Sequence, residues 1–141
     1  MDNRYSVFAL VLHWNNYQDT CRAVESLQSD EAVDHIMIID NNSTNDSLSR
    51  LKKEFEGTSS LNILKNDENL GFSRGMNIGI RYAIDNGASH LLLMNDDATV
   101  DEGCVEALLA PFDEESSVGI TGPRIFYADS PDTVWHGGGH I

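Results

Sequence analysis

Between Val7 and Met94 four short apolar runs recur, and each ends abruptly on polar residues. Val7 to Leu12 stops at His13-Trp14-Asn15, and Ile36 to Ile39 stops at Asp40-Asn41-Asn42-Ser43. Leu61 to Leu64 precedes Asn66 to Asn69, and Leu91 to Met94 runs straight into Asn95-Asp96-Asp97. Continuous apolar runs of this length, rather than alternating ones, predict strands covered on both faces.

The segments between them carry a helical period. After Asn16, a candidate N-cap, the positions Cys21, Val24 and Leu27 share a face until Ser29-Asp30. Leu48, Leu51 and Phe55 lie on one side of a helix that Gly57 would end. Phe72 to Asn86 would bury Met76, Ile80, Ala83 and Ile84, with Gly87 as its stop. Strand and helix in strict alternation predict an α/β fold with a mainly parallel sheet joined by right-handed crossovers. Val105, Leu108 and Leu109 suggest one further helix, capped at Asp101 and closing before Pro111. Val118 to Thr121 is a candidate fifth strand, and "GPRIFYADSPDTVWHGGGHI" shows no clear period.

A chain of 141 residues with 40% hydrophobic content has the size and composition of one ordinary domain. Its charge is unusual. With 9 Lys+Arg against 23 Asp+Glu, the surface repels nucleic acid and anionic lipid, and any phosphate-bearing ligand needs a cation or a local donor cluster beside it. Two cysteines, Cys21 and Cys104, without metal or redox spacing suit a reducing compartment. The six-residue apolar run near the start is too short for a signal-peptide core or a membrane span, so a cytoplasmic chain is expected.

In an open parallel sheet, ligands bind beyond the carboxyl ends of the strands, which is where all four polar clusters fall. Taken alone, "DNNST" reads first as a turn. Its functional reading has Asp40, held at a strand end, accepting hydrogen bonds from a base or ribose. "NDD" could cap a helix, although Asp101 is better placed to do so. In extended backbone Asn95 and Asp97 would share one face while Asp96 points away, and Asp97 is the candidate ligand for a hard divalent cation. Gly71, Gly75 and Gly79 recur every four residues in "NLGFSRGMNIG", along one side of a helix and its entry, and Gly75 and Gly79 would let that helix approach the sheet closely. The pattern fits neither the dinucleotide glycine fingerprint nor the phosphate loop. Arg74, near that helix's start, is either a phosphate contact or a solvated surface charge. His136 and His140 flank three glycines but have no carboxylate or thiol at fixed spacing to complete a zinc site.

The ordered set "VFALVLHWNN", "IMIIDNNSTNDS", "NLGFSRGMNIGI" and "LLLMNDDATV" resembles the nucleotide-sugar-binding half of family-2 glycosyltransferases, especially the rhamnosyltransferase-like branch. The likeness covers Val7 to Val100, with a looser continuation through "VGITGPRIFY" and "VWHGGG". It implies a three-layer, Rossmann-like GT-A fold and a nucleoside-diphosphate sugar donor. The backbone around His13, Trp14 and Asn15, with Asp40 and Asn42, would hold the base, and Asn69, Gly71 and Arg74 would border ribose and diphosphate. Asn95-Asp96-Asp97 stands in the family's Asp-x-Asp place, with Asn95 and Asp96 toward the donor and Asp97 toward Mg2+ or Mn2+. The implied reaction is an inverting, metal-assisted transfer to a hydroxyl of a glycan or glycolipid, at the cytoplasmic side, with a peripheral place at the inner membrane face open to the full-length protein. The resemblance places the general base beyond Ile141, which reads the 141 residues as one donor-binding domain truncated before its acceptor half, with self-association covering a cut edge. Two other readings remain at this point: a sugar-nucleotide nucleotidyltransferase, for which "HWNNYQ" lacks the required phosphate loop, and a non-catalytic partner-binding relic of the fold.

Overall fold

The computed structural model describes residues 5–138, which fall into two compact units divided after Glu102. In the first, β1 (Val7–His13), β2 (His35–Asp40), β3 (Leu61–Lys65) and β4 (His90–Asn95) form one parallel sheet in the order β3-β2-β1-β4. The expected parallel α/β architecture is therefore present. Register is continuous from Phe8 opposite His35 to His13 opposite Asp40, and from Val7 opposite His90 to Leu12 opposite Asn95.

Side-chain alternation along β1 and β2 builds two cores. Ala9, Val11, Ile36 and Ile38 face α1 (Tyr17–Gln28) and α2 (Ser47–Glu54), packing with Ala23, Val24, Leu27 and Leu51. Phe8, Leu10, Met37 and Ile39 face the other way, onto Met76 and Ala83 of α3 (Gly71–Asp85). Each such residue, sealed from water, contributes roughly 1.5–3 kcal/mol of transfer free energy. Covering both faces explains why β1 and β2 read as unbroken apolar runs. The β4 run shares this fate only in part: Met94 is buried and Leu91 and Leu92 pack against the two cores. It lies at the sheet edge, and Leu93 is 48% exposed.

Gly75 and Gly79 of α3 have the packing role expected of them, whereas a Cβ on Gly71 would meet nothing within 4 Å. A Cβ on Gly75 would stand 2.9 Å from Leu12 Cδ1, and one on Gly79 would stand 2.7 Å from Ile39 Cδ1. Either is well inside the ~3.5–4.0 Å at which carbon atoms pack, so a side chain at either position would require the Leu12 or Ile39 methyl to move aside. Asn16 occupies the N-cap position of α1, but its side chain makes no cap bond and donates to Asp19 instead.

The second unit departs from the sequence reading. α4 (Cys104–Glu114) is capped by Gly103 in the left-handed region, at φ 76°, rather than by Asp101. It also continues through Pro111, which has no N–H for the carbonyl four residues back. Val118 to Thr121 is not a strand. The strands are β5 (Ile125–Tyr127) and β6 (Ser130–His136), an antiparallel hairpin within the segment that showed no period. Every hairpin residue is exposed, so burial imposes no alternation to read. His140 lies outside the described residues.

Candidate functional site

The strand order sets where the site lies. The chain steps from β1 outward to β2 and β3, then returns through α3 to place β4 on the opposite side of β1. In an open parallel sheet such a reversal opens a crevice at the carboxyl ends of the two strands involved, here β1 and β4. There the Trp14 N–H reaches Asp96 Oδ2 at 3.4 Å, bridging 82 residues of sequence.

β4 ends at Asn95, and the chain turns at Asp96 and Asp97, with the Ala98 N–H donating to the Asn95 carbonyl. Strand alternation therefore does not carry through the triplet. Asn95 and Asp97 are exposed, whereas Asp96 bends back toward β1 and is half-buried. Burial raises the Asp96 carboxyl above its ordinary value. The Trp14 N–H opposes that shift, and the charges of Asp97 and Asp19 add to it. The residue expected to point away is thus the one that joins the two strand ends.

His13 closes β1 on the α1/α2 side and is fully buried. Nδ1 lies 2.7 Å from Thr20 Oγ1 and Nε2 lies 2.9 Å from Ser47 Oγ. Thr20 spends its hydroxyl hydrogen on the Asn16 carbonyl, so its oxygen accepts and the His13 hydrogen sits on Nδ1; Nε2 then accepts from Ser47. Two carboxylates stand just outside bonding range, Asp40 Oδ1 at 3.9 Å from Nε2 and Asp96 Oδ2 at 3.7 Å from Nδ1. Burial nevertheless lowers the His13 pKa, outweighing the opposing pull of Asp40. That shift favours the neutral ring at neutral pH, with both nitrogens occupied by hydroxyls.

Asp40 is also fully buried, and its carboxylate accepts from the Ser43 N–H at 3.2 and 3.3 Å. In this conformation it shapes the β2–α2 loop and offers no surface to a ligand. Asn15 is similarly engaged. Its Oδ1 accepts from the Thr44 N–H at 2.8 Å, its N–H donates to Ser43 Oγ, and its carbonyl accepts from Asn45. Asn15 and Asn42 both hold φ at 61°, a left-handed conformation that asparagine tolerates better than most residues. The loops after β1 and β2 are thereby fastened to each other.

Asn41, which sequence reasoning passed over as part of a turn, organises the other side. Its Oδ1 accepts from Asn66 Nδ2 at 3.1 Å and from the Leu70 N–H at 3.0 Å. Its Nδ2 donates to Asn69 Oδ1 at 2.9 Å and to the Gly71 carbonyl at 3.3 Å. One amide ties the ends of β2 and β3 to the start of α3. The signal was in the alternation: Met37 and Ile39 face α3, and one more step of two puts Asn41 on that face. The same parity puts His13, after Ala9 and Val11, on the face of Thr20 and Ser47.

The structure thus brings His13, Trp14, Asn15, Asp40, Asn42, Asn95, Asp96 and Asp97 to the strand ends. Asn69 and Gly71 are held beside them through Asn41. Gly71, at φ 71°, opens α3, and Arg74 one turn later is exposed and makes no ion pair among the described residues. No three His, Cys, Asp or Glu side chains among the described residues converge to cage a metal. Exposed carboxylates at a crevice suit the other mode, in which a divalent cation takes one or two protein oxygens and the rest from phosphate and water. No helix among the described residues is long and apolar enough to cross a membrane.

Solved structures share this architecture. The mannosyltransferase PcManGT from Pyrobaculum calidifontis, in complex with GDP-Man and Mn2+, superposes with a TM-score of 0.69 at 17% identity, covering 84% of this chain and 35% of that one. S. aureus TarS 1-349 in complex with UDP-GlcNAc gives 0.64 at 14% identity, over 89% of this chain and 41% of that one. S. aureus TarS gives 0.63 at 16%, over 77% and 20%. The chain therefore spans a fifth to two fifths of these chains, and at such identities the likeness is one of fold, the GT-A fold. A comparison with curated protein sequences gives no match. The description "Glycosyl transferase family 2" matches residues 9–140, and this chain therefore belongs to glycosyl transferase family 2.

Proposed function

We propose that this chain binds a nucleoside-diphosphate sugar across the carboxyl edge of its sheet and forms the donor side of a metal-assisted, inverting glycosyltransferase. The observation that carries the reading is the meeting of the β1 and β4 ends through Trp14 and Asp96 at the reversal of strand order. Family membership supports it, as do structural neighbours whose own complexes contain GDP-Man with Mn2+ or UDP-GlcNAc.

In this proposal the loops after β1 and β2 border the base, and Trp14, half exposed, offers an aromatic face there. Asn69 to Arg74 border the diphosphate, where exposed Arg74 and the N-terminal end of α3 supply positive potential in an otherwise acidic chain. Asp97 would hold a Mg2+ or Mn2+ ion, which offsets the charge that develops on the departing diphosphate. Transfer then breaks the bond between the anomeric carbon and that diphosphate as an acceptor hydroxyl attacks from the opposite face, its proton passing to a base. The acceptor is a glycan or glycolipid hydroxyl, and the Asn95-x-Asp97 pattern favours a rhamnosyl-type donor over other hexosyl donors.

Calorimetry of the chain with UDP, GDP and dTDP, with and without Mn2+, tests the proposal. At least one nucleotide should bind in a Mn2+-dependent way, and Asp97→Ala should remove that dependence. Absence of binding with all three, or unchanged Mn2+ dependence in Asp97→Ala, would overturn it.

A further inference from the structure

His13 is a histidine that two carboxylates approach and neither binds. Thr20 and Ser47 occupy its two nitrogens, at 2.7 and 2.9 Å, while Asp40 and Asp96 stand beyond them on opposite sides at 3.9 and 3.7 Å. Thr20 belongs to α1 and Ser47 is the first residue of α2, so a single ring fixes both helices to the end of β1. A cationic residue here would pair with Asp40 or Asp96 and spend a charge. A side chain with no polar group there would leave the buried Ser47 hydroxyl without a partner and the Thr20 oxygen without its donor. The neutral ring avoids both consequences. It holds the carboxylates apart while leaving Asp96 free to accept from Trp14 and face the crevice.

We infer that His13 is a positioning residue of the donor site: its neutral imidazole, pinned between Thr20 and Ser47, sets the spacing of Asp40 and Asp96 without neutralising either. The inference rests on the proposed nucleotide-binding function and adds that the base side and the β4 side of the site are coupled through this ring. His13 touches no ligand in this account. It acts through Asp96, which stands at the crevice, and through Asp40, which shapes the loop beside it.

The test uses the whole chain, with UDP, GDP and dTDP and Mn2+ as probes. His13→Asn retains a donor for Thr20 and loses the acceptor for Ser47; His13→Gln retains an acceptor for Ser47 and loses the donor. Each should weaken nucleotide binding about tenfold, the scale on which outer-shell substitutions act. Combining His13→Gln with Asp96→Asn should lose much less than the product of the two single effects, because the first acts through the second. Strictly multiplicative effects, or single variants that bind like the parent chain, would overturn the inference while leaving nucleotide binding itself standing. Absence of binding by the parent chain would overturn both. Nitrogen NMR of the unsubstituted chain gives a readout independent of variant folding: His13 should carry its hydrogen on Nδ1 at neutral pH, and a hydrogen on Nε2 or a charged ring would overturn the assignment.

Discussion

Replacing Asn41 with alanine removes all four hydrogen bonds of the amide that joins β2, β3 and α3. They do not weigh equally. Asn66, 4% exposed, would keep an amide hydrogen with neither partner nor water, at about 1–3 kcal/mol. The Leu70 N–H, partly exposed, forfeits a net bond of about 1 kcal/mol. Asn69 and Gly71 are exposed and rehydrate, so their share is close to zero. The sum is about 2–4 kcal/mol, a large fraction of the ~5–15 kcal/mol by which a domain is stable. Urea unfolding followed by circular dichroism should show a midpoint lower by about 1–2 M, with the slope unchanged. Amide exchange at Leu70 and Gly71 should accelerate more than exchange in β1. A loss below about 1 kcal/mol, or uniform acceleration across the sheet, would refute the view that this side chain anchors the start of α3.

Two further outcomes follow from the titrating groups. Burial depresses the His13 pKa below 6.5, so the unfolded chain binds a proton that the folded chain refuses. Stability attributable to His13 is full above pH 6.5 and drains away as pH falls through the lower folded value; urea midpoints at successive pH values should show this decline, and His13→Asn should flatten it. Asp96 has the opposite sign: its raised pKa gives stability that is complete below 3.8 and lost as pH rises through the folded value. Asp96→Asn should therefore raise the thermal midpoint at neutral pH while weakening Mn2+-dependent nucleotide binding, and a lowered midpoint would contradict the cost assigned to that buried charge.

The first unit was legible because its strands are apolar enough to announce themselves and its helices carry a clear period. Gly75 and Gly79 of α3 were legible as packing positions before any distance was known. At the site, residues were located more readily than their roles. The Asn95 to Asp97 triplet was read with strand geometry, but the strand ends at Asn95 and the turn reverses the expected direction of Asp96. Asp40 looked like a ligand contact and is sealed, while its neighbour Asn41 looked like turn filler and holds three elements together. Composition does not distinguish an asparagine that satisfies its own turn from one that reaches across 25 residues; the parity of the preceding strand does. The hairpin was missed for another reason. A ribbon exposed on all sides carries no burial pattern, and Pro131 within β6 argues locally against a strand.

The contact between Trp14 and Asp96 also has a kinetic consequence. Closing a segment of 82 residues is a long-range contact, expected to form later than the local pairings of β1 with β2 and of β2 with β3. Within this sheet β1 is synthesised before the other strands and waits for β4, the last of the four, before its far side is paired. A chain made only as far as α3 would hold one wall of the site and a locally opened sheet two walls unjoined, so the proposed nucleotide binding would report that β4 has docked on β1.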